Sequence, residues 1–112
     1  MGIRCDQYNR VCVLTVDGDL VADNIQQCRR IVEEQIEQHQ IGDFVLDLER
    51  CPFIDSDGLE MLVWLKQRSE ELFGQFKLAH ADENCRKILE MTRLAQRFES
   101  HDDLAAALKM MR

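Results

Sequence analysis

Apolar residues recur along this chain with two alternating periods, one of two residues and one of three to four. Residues from about Ile3 to Tyr8 and from Val11 to Val16 are short strand candidates. In the second, Val11, Val13 and Thr15 face one way and Cys12, Leu14 and Val16 the other, and the polar Asn9-Arg10 between the two strands suits a two-residue hairpin turn. Asp17-Gly18-Asp19 ends the strand, and Ile25, Cys28, Val32 and Ile36 then mark a helix from about Asn24 to Gln38. Asp23 is its predicted cap, with Gln26 completing a capping box, and Gly42 closes the connection. Phe44-Val45-Leu46-Asp47-Leu48 is apolar on both sides, as a central parallel strand covered on both faces must be. A second helix opens at Asp55-Ser56-Asp57-Gly58 and ends near Gly74. A strand follows at Gln75–Ala79, a third helix at Glu83–Leu94, an edge strand at Phe98–Ser100, and a last helix capped by Asp102 or Asp103. In that helix Leu104, Ala105, Leu108 and Met111 repeat at helical spacing. The order β-β-α-β-α-β-α-β-α predicts an α/β fold: one domain over residues 1–112, with a small mixed sheet that has an N-terminal hairpin and parallel strands, and helices packed on it.

Length and composition narrow the function classes. With 112 residues the chain holds one core and no second domain. Its net charge of −7 disfavours nucleic acid and anionic membrane surfaces, which both reward positive charge. A basic protein partner fits that balance, and so does plain solubility. No apolar run approaches the roughly 20 residues of a membrane-spanning helix, the N-terminus lacks a signal-peptide pattern, and Asp6 breaks the myristoylation motif after Gly2. Cys5, Cys12, Cys28, Cys51 and Cys85 are odd in number with no close pair in sequence, which reads as reduced, partly buried thiols in the cytoplasm.

The segment of residues 44–59, FVLDLERCPFIDSDGL, joins a buried strand carrying Asp47-Leu48 to an apolar pair and then to Asp-Ser-x-Gly-Leu at a helix start. This resembles the signature of the STAS domain family, which includes anti-sigma factor antagonists. The resemblance extends to the Gly18-Asp19-Leu20 bend, the Gln75–Ala79 strand, and Cys85–Leu94 followed by Phe98. It implies a partner-switching protein in which Ser56 is the phosphorylation site. The unmodified form binds an anti-sigma factor or related serine kinase, and phosphorylation ends the binding. Asp57 and Val21 stand where the family often has a small residue and an acidic residue. Both lie in regions that the family uses for partner contacts. The resemblance also admits a STAS subunit of a membrane transport complex acting without phosphorylation, or a scaffold in a signalling assembly, and a monomer or weak dimer is expected.

The residues themselves support a site at Ser56. A helix N-terminus carries unpaired N–H groups and partial positive charge, so it tolerates a phosphate. A phosphate adds roughly −1.5 to −2 charges, here among Asp55, Asp57 and Glu60, with Arg50 the nearby counter-charge in sequence. The alternative is that Ser56 and Asp57 only cap the helix, Asp57 and Glu60 forming an acidic capping box. On the helix that follows, Leu59, Leu62, Leu65, Ser69, Leu72 and Phe73 gather on one side. Trp64 falls opposite, and Met61 lies on the flank. Trp64 is either an interface residue or a ring laid against neighbouring loops. Gly58 allows a close approach to neighbours or a partner. The candidate partner-binding set is thus Asp19, Asp55, Asp57, Gly58, Met61 and Trp64. Catalysis is not expected, because His39, His80 and His101 lie at helix ends or in loops with no linking motif and no phosphate loop is present. Neither a metal nor another cofactor is expected, since no Cys/His cluster has ligand spacing and Asp55-Ser56-Asp57 lacks that of a calcium loop.

Overall fold

Asn9 and Arg10 both adopt positive φ (49° and 67°), as a type I′ turn requires, and they join two antiparallel strands in the predicted register, Tyr8 opposite Val11. The computed structural model describes residues 2–111. Its elements are β1 (Gly2–Tyr8), β2 (Val11–Asp17), α1 (Ala22–His39), β3 (Asp43–Arg50), α2 (Ser56–Glu71), β4 (Phe76–Ala79), α3 (Glu83–Met91), β5 (Glu99–His101) and α4 (Leu104–Lys109). A short 3-10 turn, Ala95–Arg97, precedes β5. The sheet order is β1-β2-β3-β4-β5; only the β1/β2 pair is antiparallel. The element order and the mixed sheet are those expected.

The two faces of the sheet carry different cores. Cys12, Leu14, Val16, Phe44, Leu46, Leu48, Phe76 and Leu78 form one face with Ile25, Cys28 and Val32 of α1, Met61, Leu62 and Leu65 of α2, and Cys85 and Leu89 of α3. On the other face Val11, Val13, Val45 and Ala79 meet only Ala107 of α4, with Leu104 and Leu108 half-buried around it. The alternation along β2 and β3 fixes both sets at once, because neighbouring residues point to opposite faces. Phe98 enters the larger core edge-on to Phe76, at 5.9 Å between ring centres.

Several boundaries differ from the sequence reading, each for a local reason. α1 begins at Ala22 with Val21 in the cap position, so Asp23 lies in the first turn rather than capping it. There it favours the helix dipole, while the Asn24 amide donates to the Asp19 carbonyl (2.7 Å). α1 ends on Gln40 in left-handed conformation, with Ile41 N–H bonded to the Gln35 carbonyl, and Gly42 closes the link to β3 as expected. α2 stops at Glu71 because Phe73 turns left-handed (φ 60°). Leu72 and Phe73, expected in the core, are exposed, Phe73 by 99%. α3 ends at Met91, three residues early, where Arg93 turns left-handed. β5 runs one residue later than expected, so His101 lies in a strand. Asp103, not Asp102, caps α4, and Ala107 replaces Ala105 as its buried residue.

Four of the five cysteines are buried thiols and Cys5 is half-buried; none is in a disulfide. Folding nevertheless makes a close pair that the sequence spacing hid: the Cys5 and Cys12 sulfurs lie 2.9 Å apart across the β1/β2 ladder. Burial pushes both thiols up, and Cys28 up to about 12, away from thiolate reactivity.

Candidate functional site

The site is assembled where two loops leave the C-terminal ends of parallel strands, the usual place for function in such sheets. The loop after β2 and the loop after β3 are stitched together. Leu20 pairs with Ile54 in an isolated parallel bridge, and Leu20 N–H donates to the Phe53 carbonyl (2.9 Å). Gly18 N–H donates to the Arg50 carbonyl (3.0 Å), with Gly18 at φ 114°, a conformation that favours glycine.

Gly58 sits beneath this stitch. A Cβ there would lie 2.5 Å from the Leu20 carbonyl oxygen and 2.8 Å from the Ile54 Cγ2, so only glycine lets α2 dock so closely. The close approach predicted for Gly58 is therefore made to the chain's own loops, and Gly58 is buried. The α2 cap is Asp55, whose Oδ1 accepts from Gly58 N–H at 2.8 Å. Neither Ser56 nor Asp57 caps the helix, which corrects the capping alternative.

That geometry leaves Ser56 as the first helical residue. It is exposed, and its hydroxyl is hydrogen-bonded to none of the described residues. Asp57 is exposed beside it, and Asp55 is half-buried. Asp19 is exposed on the neighbouring loop, next to the Leu20 that covers Gly58. The structure thus brings Asp19, Asp55, Ser56, Asp57 and Gly58 to one end of the molecule. Met61 does not join them. It is fully buried in the larger core and offers no contact surface, because α1 packs over the flank that periodicity left open. Trp64 is half-buried against the core, two turns along α2.

Arg29 of α1 was not singled out by sequence reasoning. Its guanidinium lies over the Trp64 ring, 4.8 Å from the centroid. Together with Ser56, Leu59, Glu60, Val63 and Trp64 it lines a cleft between α1, α2 and the turn after α3. Arg29 also borders Asp57. The expected counter-charge, Arg50, instead lines a separate cleft with Thr15, Asp47 and Glu49. The only sequence signal for Arg29 was its place beside Cys28, at the border of the apolar stripe of α1.

No histidine lines the Ser56 cleft. His80 instead contacts the Asp47 carboxylate (Nδ1 to Oδ1, 3.0 Å) and His101 contacts Glu99 (3.0 Å), both on the opposite face of the sheet. No helix among the described residues is long and apolar enough to cross a membrane.

The chain matches the family model described as the STAS domain over residues 3–107. No curated protein sequence matches it. Among solved structures it is similar to a Thermotoga maritima protein assigned as an anti-sigma factor antagonist, with TM-score 0.89 and 20% identity over 98% of this chain and 94% of that one. It is also similar to the anti-sigma factor antagonist SpoIIAA in its unphosphorylated form (TM-score 0.82, 19% identity, 96% and 95% covered). A third is a sulfate transporter family protein from Wolinella succinogenes (TM-score 0.80, 15% identity, 91% and 84% covered). At these identities the structures share the fold, while the family model covers nearly the whole sequence. The chain belongs to the STAS domain family.

Proposed function

We propose that this protein is an anti-sigma factor antagonist, a phosphorylation-regulated binding switch and not an enzyme. Unmodified, it binds a kinase-type anti-sigma factor through the surface around Ser56; phosphorylation of Ser56 releases it. It acts in the cytoplasm as a monomer or weak dimer. The observation that carries this reading is the free, exposed Ser56 hydroxyl at the first position of a helix that Asp55 already caps. The hydroxyl has no structural duty to lose, and the helix N-terminus accepts added negative charge. The cleft beside it holds no histidine to act as a base, which suits a phosphate acceptor better than a nucleophile. Among the similar structures, SpoIIAA is known in both unphosphorylated and phosphorylated forms.

A phosphate on Ser56 would stand among Asp55, Asp57 and Glu60, with Arg29 the cation lining the same cleft. A partner docked over these groups meets about two added negative charges at the centre of its footprint. Repulsion and desolvation then favour release. Asp19, Asp55, Asp57 and the exposed edge of Trp64 form the partner surface in this reading. Gly58 serves it from beneath, by holding α2 against the Leu20 loop.

The test is incubation with the cognate kinase and ATP, mapping the modified residue by mass spectrometry, and partner binding of Ser56→Ala and Ser56→Asp. Modification confined to Ser56, constitutive binding by Ser56→Ala and loss by Ser56→Asp are expected. No phosphate on Ser56 with a proven partner kinase would overturn the switch. A second reading, a transporter-associated STAS subunit acting without phosphorylation, draws on the likeness to the Wolinella succinogenes protein. It predicts partner binding that Ser56→Asp leaves intact.

A further inference from the structure

We propose that Asp47, Glu49 and His80 form a binding site for a divalent first-row transition-metal ion on the thinly covered face of the sheet. The site is independent of Ser56 and of the switch reading.

The parallel β3/β4 register sets Asp47 beside Ala79, so His80 follows directly at the end of β4. Glu49, two residues beyond Asp47 on the same strand, points to the same face. One ligand atom from each of the three residues lies within 4.8 Å of the others. Sequence spacing could not show this, because His80 stands 33 residues from Asp47 and no short motif links them.

The Asp47 side chain is only 8% exposed. Its Oδ1 accepts from Glu49 N–H at 3.0 Å and lies 3.0 Å from His80 Nδ1. No described residue donates a hydrogen bond to Oδ2, although Asp47 lines the open cleft shared with Glu49 and Thr15. The Asp47 carboxylate is held by Glu49 N–H and His80 yet opens on that cleft, so its second oxygen is reachable by a cation from solvent. Arg4 and Arg50 line the same cleft, yet neither forms a salt bridge with Asp47.

The spacing fits coordination. Two donors about 2.1 Å from one ion, at right angles or tetrahedral, stand about 3.0–3.4 Å apart. Asp47 Oδ1 and His80 Nδ1 already hold that separation. Glu49 is exposed, so its carboxylate closes the set by side-chain rotation. On binding, the ion replaces the proton shared between Nδ1 and Oδ1. That ring proton moves through solvent to Nε2, leaving a neutral imidazole as ligand. One imidazole and two carboxylates suit Zn²⁺ or Mn²⁺, with open positions left for water. An ion there would tie the end of β4 to β3, immediately before the link that leads to the Asp55 cap.

The test uses the full, tag-free chain after chelation. Mn²⁺ is titrated by electron paramagnetic resonance, since thiols hold this hard ion poorly, and Zn²⁺ by calorimetry and by displacement of Mn²⁺. One saturable equivalent is expected, weakened roughly tenfold or more by Glu49→Gln and by His80→Gln, and unchanged by Ser56→Ala. Glu49→Gln, at an exposed position, keeps the test decisive if the His80 variant folds poorly. Absence of saturable Mn²⁺ or Zn²⁺ binding, or binding that both variants leave unchanged, would overturn the site.

Discussion

The two faces of the sheet divide the work of this molecule. On one, three helices seal a continuous apolar core; on the other, the six-residue α4 packs over a few small apolar residues and leaves charged groups among the strands. Lys77 is the clearest case. It is buried on the thin face, and its ammonium pairs with Glu99 at 2.5 Å. Among the described residues the thick face buries no comparable charge, and its one buried polar side chain from a helix is Ser69. One side of the same five strands therefore supplies stability, and the other has room for ionic chemistry.

Adjacent residues of β3 test this contrast most strongly. Leu46 faces the thick core and Val45 the thin one, both without solvent exposure. Leu46→Ala is expected to cost about 4 kcal/mol in denaturant unfolding, and Val45→Ala about 2 kcal/mol, because the short α4 settles more easily into the space. Equal costs would mean that α4 packs as rigidly as the three-helix layer. Gly58→Ala drives a methyl group against the Leu20 carbonyl and should cost about 3 kcal/mol. Its partner binding, measured well below the lowered melting point, falls with the displaced α2 start.

Glu99→Gln should cost about 2 kcal/mol, less than breaking a fully buried pair because Glu99 is half exposed. The Lys77 ammonium, helped by His101, holds the Glu99 carboxyl below the ordinary carboxylate range. A lowered folded-state pKa stabilises the fold fully above the unfolded value, and that contribution is lost as pH falls through the folded one. The wild-type advantage over Glu99→Gln should thus be constant near neutrality and shrink below about pH 4. Acid titration of both proteins by circular dichroism measures it. The smallest expected effect has the opposite sign. The buried Ser69 hydroxyl has no hydrogen-bond partner among the described residues, so Ser69→Ala should stabilise by about 1 kcal/mol.

Patterns confined to one element were readable in the sequence. The hairpin, the doubly covered β3 and the helix start at Asp55 each rest on neighbouring residues, and the structure keeps them. Errors arose where a second element decides. Met61 is core because α1 lies over it, and Phe73 is outside because the chain leaves the helix two residues before it. For the Ser56 region, the strand-loop-helix motif located the serine and its acidic neighbours. It could not reveal Arg29, which reaches the cleft from a helix 27 positions earlier in the chain. Nor could it separate Asp55 from Ser56 and Asp57 as the cap, since all three are good capping or first-turn residues.

The Arg29–Trp64 stack has an optical consequence. Trp64 is the chain's single tryptophan, so its emission reports one place only. That place lies on the rim of the cleft that Ser56 also lines, with a guanidinium against the indole face. Any event that draws Arg29 away, or that lays another chain over the cleft, changes the indole's surroundings. The protein therefore carries a label-free fluorescent reporter beside its candidate switch, and stopped-flow emission can time docking and release without an attached dye.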